Sequence, residues 1–147
     1  MEPNKVMDDE TEGWVYEAEK EAAAGILARL VKRPEDRNDA SMMLSPDYFW
    51  DSLQYRVYLA IIERPAAYED YFAYELEKTL RDRGDVEAAD YIGELRLASY
   101  PYSRRDFLQG ILLLHDLTAP RRAYELEMRS LDEMQEEEML EDENVQP

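Results

Sequence analysis

A chain of 147 residues with 45% apolar and 11% aromatic side chains is long enough to bury a core, and too rich in apolar residues for a disordered segment despite 35% charged residues. The absence of cysteine excludes a disulfide framework and a thiolate metal site, no stretch approaches the ~20 apolar residues of a membrane span, and the opening MEPNKVMDDETEG has neither the basic nor the apolar region of a signal peptide, so the expected setting is the cytoplasm. The formal charge of −18 is concentrated at the ends: residues 1–12 hold five acids and one Lys, residues 132–147 hold eight acids and no base, and −6 is left for the 119 residues between, an acidity that disfavours direct contact with nucleic acid or an anionic membrane.

Between breakers, apolar residues recur at spacings of three and four and no stretch alternates with period two, which predicts helix throughout. The first helix is expected from about Trp14 to Arg33, with Ala22, Ile26, Leu27, Leu30 and Val31 on one face and Pro34 as its stop. A polar loop is expected from Pro34 to about Ser41. Ser45-Pro46-Asp47 has the form of a helix start, with a hydroxyl at the cap, Pro at the first position and an acid facing the positive end of the dipole. The second helix then reaches Arg64, and its stripe of Phe49, Leu53, Val57, Ala60 and Ile61, widened by Trp50, Tyr58 and Ile62, marks it as central.

Tyr68, Phe72, Leu76 and Leu80 step by four through a third helix that closes at Gly84, and Asp85 can cap a fourth from about Val86 to Ala98. Ser103 and Asp106 form a capping-box variant for a fifth helix that holds Phe107, Leu108, Ile111, Leu112 and Leu114 and ends near Thr118. Pro120 opens the sixth, where Tyr124, Met128 and Leu131 make a thinner stripe and polar residues take over from Asp132. The expected fold is all-α, a compact bundle of about six helices over residues 13–131, with a flexible acidic N-terminus over residues 1–12 and a frayed acidic tail over residues 132–147.

Chemistry-bearing patterns are sparse. The single histidine, His115, has no nucleophile or orienting group fixed beside it by spacing, and without cysteine a zinc site would need three carboxylates. Acids such as Glu17, Glu19 and Glu21 show neither an EF-hand spacing nor the Glu-x-x-His pair of di-iron bundles, and are expected on solvated helix faces. The five glycines are isolated and none precedes Lys, which excludes a P-loop. Arg104-Arg105 and Arg121-Arg122 lie among acids near expected helix starts. No enzyme activity, cofactor or metal is expected, and binding to another protein remains.

The order of several segments carries more information than any one of them. Glu17-Ala18-Glu19, Gly25-Ile26-Leu27, Leu44-Ser45-Pro46-Asp47-Tyr48-Phe49, and Tyr55-Arg56 with Tyr58 and Ala60-Ile61 are followed by LEKTLRDRGDVE from Leu76 to Glu87 and by Tyr91-Ile92-Gly93-Glu94-Leu95. Over roughly residues 16–125 this order resembles the N-terminal domain of DnaB-type replicative helicases. It departs from that pattern at Ala88-Ala89, where paired glycines are usual, and in the acidic segment that stands in place of the second hairpin helix; no ATPase domain is present in the sequence. The resemblance implies a helical interaction module of DNA replication that binds helicase or primase as an adaptor, loader component or inhibitor, with self-association into a homodimer as a further expectation. Helix five and the start of helix six, around Phe107, Ile111, Leu114 and Tyr124, are the expected contact surface. The alternative is an acidic nucleic-acid mimic that occupies a basic DNA- or RNA-binding channel through its terminal acids.

Overall fold

The computed structural model describes residues 9–64, 71–98 and 103–145, with side chains from Gly13 to Glu138 within those ranges. Six α-helices and two 3-10 turns make up the described residues, and no strand occurs among them. The helices are α1 (Asp9–Lys32), α2 (Arg37–Met43), α3 (Ser52–Glu63), α4 (Phe72–Asp82), α5 (Val86–Leu97) and α6 (Arg104–Val145). By internal contacts the chain forms two units, one ending at Leu117 and the other beginning at Thr118.

The number of helices agrees with the sequence pattern, yet two of them are not the ones it predicts. Residues 34–41 are not a loop: a 3-10 turn, Pro34–Asp36, leads into α2. Tertiary bonds order this polar segment. Asp36 is buried and accepts from Arg29 Nε at 2.7 Å and from Arg104 Nη1 at 2.6 Å. Arg37 donates to the Pro34 carbonyl at 3.0 Å, to the Ile61 carbonyl at 3.1 Å and to the Arg64 carbonyl, so one guanidinium serves the orphan acceptors at the C-terminal end of α3.

The second helix starts later than Ser-Pro-Asp suggests. Pro46–Tyr48 is a 3-10 turn, and Ser45 makes no side-chain cap. Phe49 is extended and α3 begins at Ser52, because Asp51 is the residue that caps: its Oδ2 accepts from the Gln54 amide at 3.0 Å. The other carboxylate oxygen accepts from the Tyr16 hydroxyl at 2.9 Å, which ties this cap to α1. That bond and the nearby charge of Asp51 push the Tyr16 hydroxyl pKa up.

Two expected caps are in place. Asp85 Oδ1 accepts from the Ala88 amide at 3.2 Å, and Ser103 Oγ accepts from the Asp106 amide at 3.1 Å. Gly84, at φ 85°, supplies the left-handed residue that closes α4. The position of Tyr68 and the expected start of the third helix near Pro65 lie outside the described residues. At the N-terminal end α1 begins at Asp9, ahead of the expected Trp14.

Pro120 does not begin a sixth helix; it lies inside α6, which continues through the acidic segment as far as Val145. Proline removes one main-chain donor from that turn, and the Glu-, Leu- and Met-rich sequence beyond it has high helix propensity.

In the first unit α4 packs on α5, and α1 packs on both α3 and α5. Ile26, Leu27 and Leu30 of α1, Val57, Tyr58 and Ile61 of α3, Leu76 of α4 and Ile92 of α5 are the centre of one core. Gly93 of α5 faces α4, where an added Cβ would stand 3.1 Å from Glu77 Oε1. Tyr58 is the largest fully buried side chain, stacked on Phe49 with ring centroids 4.4 Å apart and donating to the carbonyls of Leu44 at 2.7 Å and Ala40 at 3.2 Å. Burial pushes its pKa up to about 12.

Candidate functional site

Three of the four expected contact residues point inward. Phe107, Ile111 and Leu114 have 0%, 1% and 0% of their surface exposed and belong to the core of the first unit, so that core, rather than a partner, covers their stripe. A turn of 100° per residue sends Leu112 and Leu113 outward, and both are more than half exposed. Tyr124, in the second unit, is half exposed and stays available for contact.

Several polar groups of the first unit are engaged with one another. His115 Nε2 lies 2.8 Å from the Met43 carbonyl, and its ring meets Tyr48 edge-on with centroids 4.5 Å apart, so its bonds hold α6 against the end of α2. Arg56 pairs with Asp85 at 3.1 Å and Glu87 at 2.6 Å, Arg64 with Glu75 at 2.8 Å, and Arg81 with Asp90 at 2.7 Å. Arg104, of the pair Arg104-Arg105, is bonded to Asp36 and Asp39. No group of three or more histidines or acids able to hold a metal ion occurs among the described residues.

Among the open grooves on the surface of the first unit, two exceed 500 Å³. One, of about 550 Å³, runs past Lys20, Asp51, Gln54, Glu87 and Tyr91, where the Gln54 side chain donates to the Lys20 carbonyl at 2.9 Å and to the Tyr91 hydroxyl at 3.0 Å. The other, of about 520 Å³, is lined by Lys32, Arg33, Tyr74 and Arg96. Arg96 lies over the Tyr74 ring at 4.4 Å from its centroid and donates to its hydroxyl at 3.2 Å, with Glu77 at 3.7 Å. Neither groove is lined by a histidine or a cysteine.

In the second unit the described surface is a single helix. Tyr124, Met128, Leu131 and Met134 are 50%, 42%, 46% and 58% exposed. Arg121 pairs with Glu125 at 3.6 Å and Arg122 Nε donates to Thr118 Oγ1 at 2.9 Å, so this second arginine pair also has bonds along its own helix. The sequence pattern finds the Tyr124 stripe but places Met134 beyond the fold; helix continuing past Asp132 is what extends the face. No family model, characterised protein or solved structure matches the chain at a significant level. No described helix is long and apolar enough to cross a membrane.

Proposed function

We propose that this chain is a non-enzymatic, cytoplasmic protein-interaction module of DNA replication that docks on a replicative helicase or on primase. One observation carries the protein-binding part: Arg56, Arg64, Arg81 and Arg104 are paired with acids, while large apolar side chains such as Trp14, Met42, Leu97 and Leu112 stand exposed. A surface of that kind attracts an apolar protein face and offers little to a nucleic-acid backbone. The replication machinery is named on the order of the motifs from Glu17 to Leu95. Several of the residues that make up that order, Leu44, Phe49, Tyr58, Ile61, Ile92 and Leu95, serve as core.

Titrating the purified full chain into replicative helicase and into primase, by calorimetry at micromolar concentration, tests the proposal. Binding to one of them is expected, with affinity that changes little between about 50 and 200 mM salt, as for an apolar interface. Binding to neither refutes the replication assignment. The eight acids of residues 132–147 favour a second reading, a decoy for a basic nucleic-acid channel. A decoy would lose affinity steeply over the same salt range and would lose it entirely on deletion of residues 132–147.

A further inference from the structure

One face of α6 beyond Thr118 carries large apolar side chains that stand exposed, with Glu127 among them. At 100° per residue Tyr124, Met128, Leu131 and Met134 fall within a sector of about 120°, and at 1.5 Å per residue they extend over about 15 Å of helix. All four are at least 42% exposed. The same geometry puts Glu125, Asp132 and Glu136 along one border of the sector and Glu137 beyond the other, while Glu127 and Glu138 fall within it between Leu131 and Met134. Residues 118–147 hold ten acids and three arginines, and no base follows Arg129.

That charge decides what can cover the face. A second copy in parallel would set each acidic border against its own counterpart. In antiparallel register, Arg121, Arg122 and Arg129 would have to answer ten acids. Self-pairing is therefore opposed by charge, in the way that like-charged border positions reject a coiled-coil partner. Asp132 with Glu136 and Glu133 with Glu137 are also like-charge pairs one turn apart, a repulsion that a basic partner relieves.

We propose that residues 124–134 are a docking helix whose occupant is a protein groove with an apolar floor and a rim of Lys and Arg. Tyr124, Met128, Leu131 and Met134 enter the groove at helical spacing, and the bordering acids meet the rim. This rests on the protein-binding reading above, without requiring that the partner be helicase or primase.

The probe is a labelled helical peptide of Leu and Lys with all Leu on one face, compared by fluorescence anisotropy with a peptide of identical composition whose Leu residues are scattered. The full chain should bind the first with micromolar Kd and the second at least tenfold more weakly. Tyr124→Ser with Leu131→Ser, both at exposed sites, should weaken the first by tenfold or more and leave the circular dichroism spectrum unchanged. Equal binding of the two peptides, or unchanged binding by the double variant, overturns the docking face in favour of charge alone. A dimer in sedimentation that the double variant dissociates overturns it in favour of a second copy. Should the double variant bind helicase or primase as well as the unchanged chain does, the docking helix fails while the replication assignment stands; loss of both peptide and helicase binding supports the two together.

Discussion

Replacing Tyr58 with Phe deletes one oxygen atom from the middle of the first unit and should lower its unfolding free energy by about 1–2 kcal/mol at neutral pH. The ring keeps its stack on Phe49, so packing changes little. What is lost is the donor to the Leu44 carbonyl at 2.7 Å; the Ala40 carbonyl still accepts from the Leu44 amide. A second signature separates this loss from a packing defect. The hydroxyl pKa is raised in the folded chain from 10.0 to about 12. The contribution of the neutral hydroxyl is therefore complete below the unfolded value and is lost as pH rises towards the folded one. Relative to the Phe variant, the unchanged chain should give up about 1.4 kcal/mol by pH ~11 and about 2.3 kcal/mol by pH ~12. Urea denaturation of both proteins, followed by far-ultraviolet circular dichroism, should show a gap that is steady up to pH ~9 and closes near pH ~11. Equal stability at neutral pH, or a gap that does not narrow above pH ~10, would refute a buried hydrogen-bonded hydroxyl.

Asp36→Ala should destabilise the first unit by about 3 kcal/mol in the same urea assay, since it removes a buried carboxylate that both Arg29, whose side chain is only 15% exposed, and Arg104 bond. Arg104→Ala, at a half-exposed partner of the same carboxylate, should cost clearly less, and a larger effect would contradict the geometry. Gly84→Ala should cost about 1 kcal/mol or more in thermal melts because φ is 85° there. Pro120→Ala should raise the mean helical ellipticity by restoring a main-chain donor within α6; a fall would mean that proline begins a helix at that position.

The features that could be read from sequence are those set by neighbours along the chain. Asp85 after Gly84 and Ser103 before Asp106 act within one turn, and both caps are found where the pattern puts them. The misreadings occur where a distant residue decides. Ser45-Pro46-Asp47 satisfies every local criterion for a helix start, yet Asp51 takes the cap with the help of Tyr16, 35 positions away. Pro34 to Ser41 looks like a loop because it is polar, and its polarity is consumed by Arg104 and by carbonyls at the end of α3. For Phe107, Ile111 and Leu114 the periodicity identifies a covered face without saying what covers it, and the core does. Pro120 is ambiguous by local rules alone, being acceptable in the first turn of a helix and costly inside one.

The Asp51 carboxylate also bears on how the first unit comes apart. One of its oxygens caps α3 and the other accepts from α1, while the Gln54 side chain one turn later bonds both the Lys20 carbonyl and the Tyr91 hydroxyl of α5. Fraying at the start of α3 thus breaks bonds to α1 and α5 at the same time. The Gln54 amide hydrogen should exchange with solvent only as slowly or as quickly as those three helices separate together, which makes this one position a gauge of the cooperativity of the unit.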